Sequence, residues 1–328
     1  MEDRAAALSS FLDSVWVLDY NDNRKVVNNL SSLKINKASP ALPLIAAYVG
    51  YSVWGLGNLF TKIAQGSATP SLVLSHRFLI SAIAMVILVL TGAVKVSFKG
   101  KKLWPAVLLV LSQNLYYLFE SYAILHTNAT ITGAASAVSP VISILLAVFF
   151  LKEFPTKRQA IFCLLPIIGV IILTLAGKSL GVATPLGIVF LLLTILTSGA
   201  YKTCNRKAAE DFTSFERTFM MLTVSAVSFT CTAMGEIGWD LKTYIAPLAV
   251  PSYIGSILTL ALLCSIGCNL LANYATGKLP VVKSSSFGAI LTLVSMISGV
   301  IFLGEPISWT LCLGAVLIMV GIYQVTKK

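Results

Sequence analysis

The sequence predicts an all-α membrane protein: ten transmembrane helices as two inverted five-helix repeats, with both termini on the inner side. Three observations lead there. Ten apolar runs of spanning length follow one another with short connections, Lys and Arg gather on alternate connections, and the second half repeats the first at a fixed spacing.

Composition sets the class. Of 328 residues, 57% are hydrophobic and only 11% are charged, with a mean hydropathy of +0.86. A soluble domain carries about 25% charged residues, and a chain this long would need them to cover its core. Intrinsic disorder and a disulfide-stapled secreted fold are excluded for the bulk of the chain. The net charge of +11 does not point to nucleic acid, because the bases lie in short clusters between apolar runs. The lipid bilayer is the expected partner.

The elements follow in order. Residues 1–40 hold five acids and five bases. Their apolar patch Phe11–Leu18 is too short to span, and no basic head and apolar run lead to a cleavage site. They are read as a cytoplasmic leader with a short surface helix near Ala5–Val17. A spanning helix needs about 20 mostly apolar residues. The first repeat, 41–177, supplies Ala41–Thr61, Leu72–Thr91, Leu103–Leu125, Thr130–Leu151 and Gln159–Ala176. The second, 182–326, supplies Pro185–Thr203, Phe215–Met234, Tyr253–Tyr274, Val281–Leu303 and Ile307–Val325. Charges, Gly, Pro and Thr punctuate the connections, and no room is left for a soluble catalytic domain.

With the N-terminus inside, 20 of the 24 Lys and Arg residues fall on the inner side. Only Lys62, Arg77, Lys178 and Lys242 fall on the outer half. Cytoplasmic loops carry such an excess, so the basic balance is a topology signal, and it agrees with an even span count. The expected location is the inner or plasma membrane, multi-pass.

At a spacing of 152 residues, Tyr122-Ala123 matches Tyr274-Ala275, Ser143 matches Ser295, Phe150-Leu151-x-Glu153 matches Phe302-Leu303-x-Glu305, and Gly169 matches Gly321. Five spans separate the two copies, so the second sits upside down. Inverted repeats characterise alternating-access transporters, which bind substrate near the midplane between the copies.

The residues that carry a family resemblance are now in view. They are Trp54-Gly55 with Asn58 and Lys62, His76-Arg77-Phe78, Tyr122-Ala123, Pro140 to Glu153, Gly169, Phe302-Leu303-Gly304-Glu305-Pro306, and Gly314 to Gly321. Over about Ala41 to Gln324 the chain resembles the ten-span EamA-type proteins of the drug/metabolite transporter superfamily. The resemblance implies a secondary transporter, not an enzyme, that moves a small metabolite. Amino acids or related compounds come first and export is the favoured direction; nucleotide-linked sugars or drugs are the alternative cargo. Lys152 stands where the second repeat has the more usual Gly304, the sixth span lacks a Trp-Gly pair, and the leader is longer than such proteins carry. A non-transporting membrane scaffold is a further alternative, and a lipid-modifying enzyme would want clustered His and Asp that this chain lacks.

Polar groups at membrane depth are the site candidates. Glu120, in the third span, suits a substrate amino group or a coupling proton, or an ion pair with Lys62, Arg77 or His76. His76 and Arg77, at the outer entrance of the second span, suit gating and carboxylate binding. Asn58 and Lys62 share a face of the first span. Gln113, Asn114 and Tyr117 form a polar stripe in the third span, and Asn269 and Asn273 form another in the eighth, its repeat partner. Trp54, Asn58, Gln113, Asn114, Tyr117, Glu120, Asn269 and Asn273 are thus the expected substrate cavity, with Glu120, His76, Arg77 and Lys62 as the coupling or gating set. The bland alternative for each amide is glue between helices. Glu153 and Glu305 are expected to cap or pair locally. The six cysteines lack metal spacing, and neither a cofactor nor a metal is expected. Proton coupling and facilitated diffusion both fit, as do a monomer and a homodimer.

Overall fold

The computed structural model describes residues 41–127, 139–162 and 184–303, with isolated positions at 132, 164–165, 167–168, 172, 309, 313, 316–317, 320–321 and 323–324. The leader, most of the fifth and tenth spans, the start of the fourth, and Glu305 lie outside the described residues.

Every described element is helical. In the numbering of the ten expected spans, α1 (Leu42–Gly55) and α2 (Gly57–Gln65) fall in the first, α3 (Pro70–Leu90) in the second and α4 (Trp104–His126) in the third. α5 (Ser139–Leu151) ends the fourth and α6 (Lys157–Phe162) opens the fifth. α7 (Pro185–Ala208) and α8 (Ser214–Glu236) are the sixth and seventh, joined to the eighth by α9 (Leu241–Ile245) and a 3-10 turn at Ala246–Ala249. The eighth runs from α10 (Pro251–Leu258) through a wide-turned stretch, Thr259–Gly267, into α11 (Cys268–Lys278). α12 (Val281–Ser286) and α13 (Gly288–Leu303) make the ninth. Among the described residues, four helical stretches are long and apolar enough to cross a bilayer: α3, α7, α8 and Pro251–Lys278. The chain is therefore an all-α, multi-span membrane protein.

Local sequence explains the helix starts. Thr69 and Thr184 each cap a helix that opens with Pro, accepting from the backbone N–H of Leu72 and Gly187, since proline's missing donor costs nothing there. Thr213 caps α8 in a reciprocal box with Glu216. Glu216 also accepts from the Ser97 backbone N–H (2.9 Å) and Lys101 Nζ (2.5 Å), tying the loop before α4 to the start of α8.

The first span differs from the continuous helix expected: it breaks at Leu56. The Ser295 hydroxyl on α13 donates to the Gly55 carbonyl at 2.6 Å, drawing that acceptor toward a neighbouring helix, as inserted side chains do at kinks. Gly55 permits the approach. A Cβ there would lie 2.7 Å from the Leu291 carbonyl oxygen and 2.7 Å from Val294 Cβ. Gly199 does the same on α7, where a Cβ would lie 2.7 Å from Ile142 Cβ on α5.

α3 packs along α8, α4 along α7, and α1 against α11; α5 lies on α7 and α13 on α1. In lipid, such contacts rest on close backbone approach and interhelical hydrogen bonds rather than on hydrophobic transfer. The buried core joins Tyr51, Trp54, Phe78, Tyr117, Tyr201 and Phe229 from α1, α3, α4, α7 and α8.

Candidate functional site

A narrow cavity opens where α1, α4, α5, α7 and the ninth span meet. Its lining is Tyr51, Trp54, Tyr116, Ser139, Ser198, Tyr201, Lys202, Gly288 and Leu291. About 20 Å³ of it is open to a water-sized molecule, room for roughly one water in this conformation. Four aromatic rings wall it. Tyr116 and Tyr201 are nearly parallel, 10° apart at 6.3 Å, and Tyr51 lies 5.8 Å from Trp54. Lys202 supplies its charge, with Nζ donating to the Ser139 hydroxyl at 2.8 Å.

Beside the cavity lies a buried polar core. Arg77, buried on α3, donates from Nε to Ser265 Oγ at 2.6 Å. Its guanidinium carbon sits 4.7 Å from the Tyr117 ring centre and 5.2 Å from that of Phe78, within range for cation–π attraction. The wide-turned stretch of the eighth span presents Ser265 to it, and such local widening recurs at functional sites. Glu120 accepts from the Tyr116 hydroxyl at 2.5 Å and lies within electrostatic reach of Arg77. Among the described residues, Arg77 Nη2, both polar ends of the Gln113 amide, the Tyr117 hydroxyl and Asn58 Nδ2 are buried without a hydrogen-bond partner. Each unpartnered buried group costs about 1–3 kcal/mol, so each calls for a physical reason in a native fold.

The structure brings together Trp54, Arg77, Tyr117, Glu120 and Asn269 in or beside this core, with Gln113 buried on α4 one turn before Tyr117 and Asn58 buried on α2. Asn269 donates to the Ser265 carbonyl at 2.7 Å and accepts from the Tyr201 hydroxyl at 3.5 Å. Asn273 lies further along α11 in a separate lock: it accepts from Asn205 at 2.6 Å and donates to Thr218 at 2.7 Å, while Arg217 reaches its carbonyl at 2.7 Å. Asn114 accepts from Ser225 at an apolar groove lined by Leu103, Val107 and Met220. Lys62 is exposed on α2. His76 and Arg77, expected at an entrance, are buried at 2% and 4% exposure; His76 Nδ1 meets the Tyr253 hydroxyl at 2.7 Å and its ring edges Tyr244.

Sequence reasoning missed most of the cavity wall: Tyr51, Tyr116, Ser139, Ser198, Tyr201 and Lys202. A signal was present. Gly55 and Gly199 are 144 residues apart, as are the helix caps Thr69 and Thr213, and at that spacing Trp54 matches Ser198 and Asn58 matches Lys202. The 152-residue spacing belongs to the later spans, and the shift between the two spacings hides the correspondence.

At one end of the bundle, Glu153 joins elements distant in sequence. Its carboxylate accepts from Arg206 Nε on α7 and from the Val281 backbone N–H that opens α12, both at 2.9 Å. Arg206 also donates to the Gly277 carbonyl at 2.8 Å. Glu153 thus caps and pairs, but with α12 and α7, both distant in sequence, rather than locally. Among the described residues no three His, Cys, Asp or Glu side chains gather to hold a metal.

Comparison with known proteins gives these features a context. The sequence profile of the EamA-like transporter family matches residues 41–175 and again 185–327. The uncharacterized transporter YcxC of Bacillus subtilis is 32% identical over 282 residues, covering 85% of this chain and 90% of that protein. An uncharacterized transporter of Archaeoglobus fulgidus is 21% identical over 84% of this chain and 95% of its own. A protein of known crystal structure superposes with a TM-score of 0.69 over 87% of this chain and 96% of its own, at 16% identity, a likeness of fold. With its profile matched twice across most of its length, this multi-pass membrane chain belongs to the EamA-like transporter family of the drug/metabolite transporter superfamily.

Proposed function

We propose that the protein is a secondary transporter that exports a small metabolite, an amino acid or related compound, by exposing the central cavity alternately to each side of the membrane. The observation that carries this reading is the cavity's wall: Tyr51, Trp54, Tyr116 and Ser139 come from residues 41–177, and Ser198, Tyr201, Lys202, Gly288 and Leu291 from residues 182–326. A site between two halves is what rocking of one half on the other requires.

Helix pairing supports two inverted five-span halves. Exchanging each span for its counterpart five spans on turns the α4–α7 contact into the α11–α1 contact and the α5–α7 contact into the α13–α1 contact; the α3–α8 contact maps onto itself. Gly55 against Val294 and Gly199 against Ile142 are the same contact made twice. The charge bias supports both termini inside. That orientation puts the Glu153–Arg206 link at the cytoplasmic end, where it must part for the cavity to open inward. Glu120 and His76 are the groups offered for proton coupling. A nucleotide-sugar or drug carrier would use the same cavity.

Proteoliposomes test the proposal. Saturable counterflow of radiolabelled amino acids is expected, abolished by Ser198→Trp, which fills the cavity. Flux of amino acids that survives Ser198→Trp would remove the cavity from the pathway. Flux of nucleotide-linked sugars or cationic drugs instead would reassign the cargo.

A further inference from the structure

We infer that the cavity selects cargo with a carboxylate or similar anionic group, seated on the Lys202 ammonium, with the cargo's apolar body against Trp54 and the tyrosine rings. The inference rests on the cavity being the transport site and adds the sign of the charge it takes. Lys202 enters from α7 and is only 7% exposed. A cation held at membrane depth is costly and marks function. A lysine ammonium acts as a compact point charge with three donors.

Its placement is built. Nζ lies 2.8 Å from Ser139 Oγ on α5, and a Cβ at position 288 would come within 3.1 Å of it, so Gly288 leaves the ammonium its seat at the cavity. Among the described residues the lining holds no acidic side chain. Lys202 is thus the charged side chain of that lining, and in low dielectric its sign weighs heavily. The Ser139 hydroxyl is a neutral acceptor that an incoming carboxylate replaces with a stronger, charge-assisted bond. The rings beside it suit a planar or apolar body.

Three probes that share one ring and differ in charge test this on the full chain in lipid nanodiscs: indole-3-acetate, tryptamine and indole-3-ethanol, followed by calorimetry. The acetate is expected to bind at least about tenfold tighter than the amine or the alcohol. Lys202→Gln is expected to bring the three within about twofold, and Lys202→Arg to restore the anion's lead. The inference is overturned if the amine or alcohol binds as well as the acetate, if Lys202→Gln keeps the anion's lead, or if none of the three binds. The comparison among probes on the unaltered protein stands even where a variant fails to fold. Counterflow separates this failure from that of the transport reading. A neutral or cationic solute whose flux Ser198→Trp stops leaves the transporter and removes the anion preference.

Discussion

Adding one methyl group at Gly55 or Gly199 reports directly on how closely the helices approach. At Gly55 the new Cβ would sit 2.7 Å from both the Leu291 carbonyl oxygen and Val294 Cβ, about 0.7 Å inside ordinary contact at 3.4 Å. Neither atom is the tip of a flexible side chain, so the backbone of α1 or α13 has to move. At Gly199 the obstacles are Ile142 Cβ at 2.7 Å and the Ser143 backbone nitrogen at 3.2 Å. Alanine in a helix gains up to about 1 kcal/mol over glycine, while overpacking costs about 1–3 kcal/mol. The clash outweighs the propensity, and each variant is expected to lose about 1 kcal/mol or more. Gly235→Ala and Gly255→Ala are the controls: nothing lies within 4 Å of a Cβ at either position, so propensity alone acts and they should equal or exceed the wild type. Thermal denaturation of the purified, detergent-solubilised protein measures all four. Gly55→Ala and Gly199→Ala melting with the controls would refute the close approach. A loss at only one of the two would refute its duplication.

Three further outcomes follow from the hydrogen bonds. In a double-mutant cycle of Glu153→Gln and Arg206→Gln, with the partners' side chains 24% and 28% exposed, the coupling is expected near 1 kcal/mol after screening; additivity in denaturation midpoints would show the pair to be incidental. Tyr116→Phe removes the donor to the buried Glu120 carboxylate and should cost about 1–3 kcal/mol; an unchanged melting curve would show that Glu120 does not depend on it. Asp240 caps α9 by accepting from the backbone N–H groups of Lys242 and Thr243 and from the Thr243 hydroxyl, and these bonds hold its carboxyl below the ordinary value of 3.8. A lowered pKa makes the cap's contribution complete above that value and lost as pH falls through the depressed one. Hydrogen exchange at Lys242–Ile245, corrected for intrinsic rates, should therefore accelerate relative to its neighbours only as the pH is taken below 3.8; an acid-independent profile would remove the cap.

The sixth and seventh spans were legible because their signals are local: an apolar run after a threonine cap, in the sixth case followed by proline. The break in the first span was not, because its cause, the Ser295 hydroxyl, lies 240 residues away in sequence. The polar residues divide the same way. A buried amide in a spanning helix looks alike in sequence whether it lines a cavity or locks two helices. Only the fold shows Asn273 held by Asn205 and Thr218 while the Gln113 amide lies without a partner among the described residues. Lys202 falls among the 20 inner-side bases in sequence because counting along a helix gives depth but not facing; the glycine that leaves it room is on the ninth span. Arg77 and His76 were placed at an entrance by the same count, and burial among α4, α9 and the eighth span is a tertiary fact.

In the proposed transport cycle one cavity between two halves faces each side in turn. Its most direct test is a single cysteine at Ser198, in a background with the six native cysteines replaced, probed with a membrane-impermeant thiol reagent on right-side-out and inside-out vesicles. Labelling from both sides, slowed by transported solute, is the predicted result. Labelling from one side only, or from neither, in the presence and absence of solute, would contradict it.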